Sequence, residues 1–327
     1  MSVIAVDDDF LGVAVRAMRA EQGDAALDSL TWWDLLPDLS DDEIASATFG
    51  ALRAQGRELA DTPALGGLLA QPYTQALGLA PGACVAAISR RSRDRGDVWV
   101  VLGAAGDRPV LFDVPGSGAH LVDASELQGQ PVEVAGRLSV AEVVVDLVGR
   151  APELSEEAAA AVRHRAIYLA RVGAAAEILG AAEQVLGMAV EYSTQREQFG
   201  RPIGTFQALR HLLAWGATDC VAVDAAVRRA IELRGHPPVH LDRAVKALAG
   251  RNGRRACDRA LQTFGGIGFT AEHDHHHFHS RVLVLDALLG SSAELTHQLG
   301  GWLRTAQVDP EYPAAVLATA AATGAPA

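Results

Sequence analysis

Between Glu156 and Thr194 the chain contains no proline, and Ile167, Ala170, Arg171, Ala174, Ile178, Ala181, Val185, Met188 and Tyr192 recur at steps of three and four residues. That spacing marks one face of a single helix, on the order of 50 Å or more in length at ~1.5 Å per residue. Glu156 and Glu157 suit its first turn, where carboxylates face the positive end of the helix dipole. Further helical stretches are predicted at about 205–234, 239–263 and 283–304. The breaks fall at Gly200-Arg201-Pro202, Gly235–Pro238 and Gly265–Gly268. Four long helices joined by short breaks form the pattern of an antiparallel four-helix bundle over residues 151–305.

The rest of the chain reads differently. Residues 1–75 are predicted to be helical, with apolar faces at Phe10-Leu11-Val13-Val15-Met18 and Ile44-Ala47-Phe49-Leu52, and with breaks at Pro37–Asp42 and Asp61–Pro63. Residues 76–150 form a β segment: Cys84–Ile88, Val98–Leu102 and Pro109–Val114 are short apolar runs separated by Gly, Asp and Arg. The tail 306–327, rich in Ala, Pro and Thr, is expected to be flexible. The fold class is therefore mainly α with a reduced β segment. Composition agrees, since aromatics are only 5% of the 327 residues while 49% are apolar, enough for a sizeable core of close-packed helices.

Charge narrows the partners. Net charge is −12, and of the 28 basic residues only Lys246 is a lysine, with the arginines interspersed among acids. A nucleic-acid partner is excluded for want of a basic face, whereas an anionic cofactor needs only a local cluster of donors. Cys84, Cys220 and Cys257 share no C-x-x-C spacing and read as buried thiols of a reducing compartment. No basic, apolar leader and no long uncharged apolar run occurs, so a cytoplasmic protein with no membrane partner is expected.

Two clusters could carry chemistry. Arg196-Glu197-Gln198-Phe199-Gly200, followed by Gln207, sits between two helices, where a guanidinium and free helix N–H groups could seat a phosphate. A solvated helix corner accounts for the same residues. Gln262-Thr263-Phe264-Gly265-Gly266-Ile267-Gly268-Phe269 closes another helix; its glycine pair permits close approach of a ligand, and equally serves as a helix C-cap.

Taken together with their spacing, these segments resemble the C-terminal helical domain of acyl-CoA dehydrogenases over residues 155–304. R-x-x-F-G, a glutamine eight residues after the Phe, and Lys246 sixteen residues before Gln262 in Q-x-x-G-G-x-G-aromatic all hold. A weaker similarity covers Phe49–Pro63, which is like a family helix of the form l-x-x-x-G-r-x-l-a-x-x-P. The resemblance implies N-terminal helices, a middle β domain and a four-helix bundle that oligomerises. It also implies that Arg196, Phe199, Gln207, Gln262, Gly265 and Gly266 bind the adenosine and pyrophosphate half of an FAD shared with a neighbouring subunit.

The departures from the family are as informative. The reaction needs a carboxylate to take the α proton of an acyl-CoA thioester while the β hydrogen leaves as hydride to the flavin. One family position for that base falls on Gly290, in Gly290-Ser291-Ser292-Ala293-Glu294 downstream of Arg281. The other falls on Ala170, before Arg171. Neither is acidic. Nothing in Cys84–Val145 matches the flavin-gripping T-E-x-x-x-G-S-D or W-x-x-N strands, and 76–147 is short for the usual β domain.

The resemblance is thus to the short, base-lacking subunit of actinobacterial heterotetrameric steroid-CoA dehydrogenases, an α2β2 assembly with a full-length homologue. Its substrate would be an acyl-CoA, such as a steroid side-chain ester, and its acceptor an electron-transfer flavoprotein. A self-sufficient flavoenzyme with a relocated base such as Glu177, and a non-enzymatic scaffold, remain alternatives. Glu177, Glu183 and Glu191 are expected on a solvated or subunit-facing side of the long helix, and Arg171 is expected to be structural. The run His273–His279 reads as a solvated loop with no metal, one that could frame a ligand entrance. Ser291 and Ser292 have no evident His partner, so a hydrolase finds no support.

Overall fold

The structure, a computed structural model, describes residues 8–92, 96–103, 106–132 and 136–305. The tail 306–327 expected to be flexible lies outside the described residues. Five helices open the chain: α1 (Asp8–Ala20), α2 (Asp24–Asp28), α3 (Trp32–Leu35), α4 (Asp42–Glu58) and α5 (Ala64–Leu77). Asp41 starts α4 by accepting from the N–H groups of Glu43 and Ile44, which satisfies two otherwise orphaned donors. Gly78, at φ +66°, ends α5.

Seven strands follow among the described residues. These are β1 (Val85–Ala86), β2 (Ile88–Ser92), β3 (Gly96–Leu102), β4 (Val110–Val114), β5 (Gly118–Val122), β6 (Gln128–Val132) and β7 (Val140–Val144). They make two small sheets, β1-β4-β5 and β2-β3-β7-β6, antiparallel except for the β1–β4 pair. Trp99 on β3 and Phe112 on β4 meet edge to face at 5.2 Å between the sheets. β5, β6 and β7 fall within the predicted β segment, but their individual runs do not stand out in the sequence because they are short and interrupted.

The bundle consists of α6 (Glu156–Gln195), α7 (Gln207–Glu232), α8 (Leu241–Phe264), α9 (His275–Ala287) and α10 (Ser292–Thr305), with the hairpin strands β8 (Glu197–Gln198) and β9 (Arg201–Pro202) between α6 and α7. Ser155 caps α6, its hydroxyl accepting from Ala158 N at 3.3 Å. Half of this 40-residue helix is buried, because α4, α5, α7, α8 and α9 all pack around it. Each Leu, Ile or Val so enclosed contributes about 1.5–3 kcal/mol by leaving water.

Two expectations are corrected. The single fourth helix at 283–304 is two helices, α9 and α10, separated at 288–291, where Leu289 (φ +58°) and Gly290 (φ +97°) turn the chain left-handed. The His run is not a loop, since His275–His279 form the start of α9 and His275 is buried, its ring Nε2 2.9 Å from the Cys257 carbonyl. No helix among the described residues is long and apolar enough to cross a membrane.

Candidate functional site

The two sequence clusters meet at one end of the bundle. Tyr192, in the last turn of α6, packs edge to face on Phe264, the last residue of α8, at 5.6 Å. That contact sets the 196–207 corner beside the 262–269 segment. The corner is a two-residue hairpin in which Gln198 pairs with Arg201, and both turn residues are left-handed: Phe199 at φ +55° and Gly200 at φ +77°. Glycine tolerates this, but for an L-residue such as Phe the conformation costs about 1–2 kcal/mol. Burial does not compensate, since Phe199 is 91% exposed and meets Phe206 edge to face with ring centroids 6.1 Å apart. Strain held on an exposed aromatic points to a task outside this chain's own core.

The neighbouring donors are equally free. Arg196, Gln207 and Gln262 are exposed, and among the described residues their side chains have no hydrogen-bond or ionic partner. Gln207 opens α7, whose first N–H groups receive no side-chain cap. Gly265 (φ +65°) and Gly266 have no atom within 4 Å of where a Cβ would stand, so their backbone is open to an incoming group. A guanidinium, two amides, uncapped helix N–H groups and bare glycine backbone form a donor set suited to the pyrophosphate and adenosine half of a dinucleotide. FAD therefore fits these residues, and Arg196, Gln207, Gln262 and the Gly265-Gly266 backbone are the groups that would hold it.

A separate cavity of about 400 Å³ opens between α5, the two sheets, α6 and the 288–291 turn. Leu69, Ile88, Trp99, Leu111, Ile167 and Leu289 give it apolar walls, and Gly290 forms part of its rim. One acid lines it, Asp113, which the sequence reading did not single out. Its carboxylate accepts from Tyr73 Oη (2.9 Å), Arg163 Nε (2.5 Å) and Arg163 Nη2 (2.8 Å), so three of its roughly four lone-pair directions are taken. Arg163 turns its other donors to Glu156 at 2.8 and 3.0 Å. Burial, with Asp113 beside it, pushes the Tyr73 phenol above its ordinary range.

Both family base positions are empty of acid in space as well as in sequence. Ala170 is fully buried in α6. At Gly290 the left-handed backbone and Leu295 Cδ2, 2.7 Å from a notional Cβ, both oppose a longer side chain. Glu177 is not on a solvated or subunit-facing side, as the sequence suggested. It is 1% exposed, does not line the cavity, and binds Arg281 at 2.6 Å. Burial pushes its carboxyl above the ordinary range against the pull of Arg281. Glu183 pairs with Arg53 at 2.5 Å. Arg171 does have a structural role, donating to Asp242 (2.7 Å) and to the Leu289 carbonyl (2.9 Å).

Lys246 completes the support of that turn. Its ammonium is fully buried and donates to the carbonyls of Asp286 (3.2 Å) and Gly290 (3.5 Å). Burial brings its pKa down to about 8, with nearby Asp286 opposing and Arg171 adding to the fall. An unfolded lysine titrates near ~10.4. Between pH 8 and that value the unfolded chain binds more protons than the folded one, so the Lys246 contribution to stability rises with pH across this window. Below pH 8 the cost of the buried charge is constant. Urea unfolding of wild type and Lys246→Met at pH 7 and 9.5 is expected to show wild type gaining about 2 kcal/mol relative to the variant. Parallel changes in the two proteins would show that the ammonium does not titrate there. Cys84 and Cys220, whose thiols burial raises to about 12, act alike in both proteins and cancel.

Residues 160–303 match the acyl-CoA dehydrogenase C-terminal domain, and the chain as a whole has the acyl-CoA dehydrogenase fold. Among curated relatives, acyl-CoA dehydrogenase IpdE2 of Mycobacterium tuberculosis is 40% identical over 126 residues, 38% of each chain. Among solved structures, a Tcur3481–Tcur3483 steroid ACAD variant superposes with TM-score 0.72 at 21% identity, covering 91% of this chain and 97% of the other. The ChsE4–ChsE5 complex from Mycobacterium tuberculosis gives 0.67 at 20% identity, covering 92% and 97%. The chain spans about two fifths or less of the length of the first curated relatives it matches.

Proposed function

We propose that this chain is the half-site subunit of a heteromeric, FAD-dependent acyl-CoA dehydrogenase, lending Arg196, Phe199, Gln207, Gln262, Gly265 and Gly266 to a flavin held mainly by a full-length homologue. The observation that carries the reading is one asymmetry. The cofactor-facing donors persist together, exposed and unpartnered, while the cavity of this chain has Gly290 and no uncommitted carboxylate. The α2β2 arrangement, and a steroid side-chain CoA ester as substrate, are supported by the likeness to the steroid ACAD and ChsE4–ChsE5 structures.

FAD, when bound, supplies the hydride acceptor. Within this chain, Arg196 neutralises phosphate charge, Gln207 and Gln262 orient the nucleotide half, and Phe199 offers a face for packing. The proton-abstracting carboxylate comes from the partner. An electron-transfer flavoprotein takes the electrons onward. We place the complex in the cytoplasm, where Cys84, Cys220 and Cys257, all buried and free, stay reduced.

The chain alone is expected to purify colourless and inactive, and with the homologue as a yellow complex with about one FAD per pair. Arg196→Ala should lower flavin affinity of that complex about tenfold or more, since a charge-assisted bond is lost. A yellow, active lone chain would replace this reading with a self-sufficient enzyme. Unchanged flavin content in the Arg196→Ala complex would leave the chain a scaffold.

A further inference from the structure

Arg165, on α6, has no carboxylate partner among the described residues, unlike five other arginines that the fold encloses. Arg53, Arg163, Arg171, Arg234 and Arg281 each hold a carboxylate. Arg165 is half-buried, and its one hydrogen bond among the described residues is from Nη1 to the backbone carbonyl of Arg234. Its helix neighbours at three and four residues are Ala161, Val162, Tyr168 and Leu169, so no acid reaches it along α6. Asp42, on the adjoining segment, is bound to Arg234, whose other donors go to the Leu39, Ser40 and Ile231 carbonyls. Burial lowers the guanidinium's pKa, and Arg234 adds to the effect. In a chain of net charge −12, a partly desolvated cation without a counter-ion is a cost that a bound anion removes.

A groove lies against it. One hollow of about 530 Å³ is bounded by Arg165, Val162, Leu39, Ser40, Pro72 and Ala76. A smaller one of about 120 Å³ adjoins it, sharing Pro37, Gln71 and Gln75, and ends among Leu36, Leu79 and Pro81. The pair make an elongated site with a guanidinium at one end, two amides midway and an apolar pocket at the far end. It shares no lining residue with the cavity at Gly290, which Leu69 and Tyr73 of α5 line.

We propose that this groove is a second ligand site, for an aliphatic carboxylate whose head sits on Arg165 and whose chain runs past Gln71 and Gln75 into the Leu36–Leu79 hollow. The guanidinium fork matches a carboxylate's two oxygens, and four of its five N–H donors are uncommitted among the described residues. The site is independent of the flavin donors at the bundle end.

Calorimetric titration of the full chain, assembled with its homologue if it requires one, with octanoate, octanol and octyl phosphate tests this. Octanoate is expected to bind at least tenfold more tightly than octanol. Arg165→Gln should abolish that preference. Ala76→Trp, which fills the groove from an exposed position and leaves Arg165 in place, should weaken octanoate at least tenfold without altering the melting temperature. Equal affinity for octanol would reduce the site to apolar adsorption and overturn the proposal. So would octanoate binding that survives Ala76→Trp, because the ligand would then sit elsewhere, and so would octyl phosphate binding tenfold more tightly than octanoate.

Discussion

Arg281→Ala is expected to cost about 3–5 kcal/mol of stability, the range for removing one partner of a buried ion pair. Arg281 is wholly inaccessible and its guanidinium joins three parts of the chain. It donates to Leu59 O and Ala60 O (each 3.1 Å) just beyond α4, to Gly136 O (2.8 Å) and Arg137 O (2.7 Å) between β6 and β7, and to Glu177 Oε1 (2.6 Å) on α6. Truncation takes the guanidinium from a buried carboxyl and four carbonyls at once. Arg281→Lys should rescue little, because one ammonium with three donors cannot serve acceptors spread around a planar fork. Arg281→Met combined with Glu177→Leu should be more stable than Arg281→Met alone, since the pair's loss removes the unpaired acid. Urea unfolding of wild type and these four variants measures this. A double variant less stable than the single would show that Gln55, the other group that stabilises the Glu177 carboxylate, outweighs the cost of the unpaired acid.

The same pair shows where sequence reasoning stopped. Periodicity located α6 within a residue, because an apolar stripe of that length has one conformation that buries it. Glu177 lies on the stripe beside Ile178, between Ala174 and Ala181, and the argument that gave Arg171 a structural role applied to it equally. The missing signal was its partner, 104 residues away. The 288–291 break was hidden for a local reason: Leu288 and Leu289 continue the apolar pattern, and Gly290 reads first as a lost base and only secondarily as a turn. Asp113, Tyr73 and Arg163 come from β4, α5 and α6, at separations no short motif spans. That the 196–207 and 262–269 segments would lie side by side was open to sequence reasoning because each is compact in sequence, and Tyr192 against Phe264 suffices to bring them together.

Gly180→Ala sets two effects of opposite sign against each other. In a helix interior, Gly to Ala should stabilise by about 0.8–1.0 kcal/mol from propensity alone. Yet a Cβ on Gly180 would stand 1.9 Å from the Arg53 carbonyl oxygen and 3.0 Å from Arg57 N, and a Cβ on Gly56 would stand 1.9 Å from the Glu177 oxygen. Here α4 and α6 cross backbone against backbone, each glycine facing the other helix. No rotamer change relieves a methyl pressed on a main chain, so the helices must part by more than an ångström. That parting also loosens the Arg53 bridges to Glu183 and Asp224 and draws the Leu59 and Ala60 carbonyls away from Arg281. Packing should therefore win, and the expected net loss is about 3 kcal/mol or more, beyond the ordinary overpacking range of ~1–3. Gly187→Ala, in the same helix with nothing within 4 Å of its Cβ, should show the propensity gain alone. Urea midpoints that move in opposite directions for Gly180→Ala and Gly187→Ala would establish the crossing. If both rose together, α4 and α6 would have to lie further apart than their glycines place them.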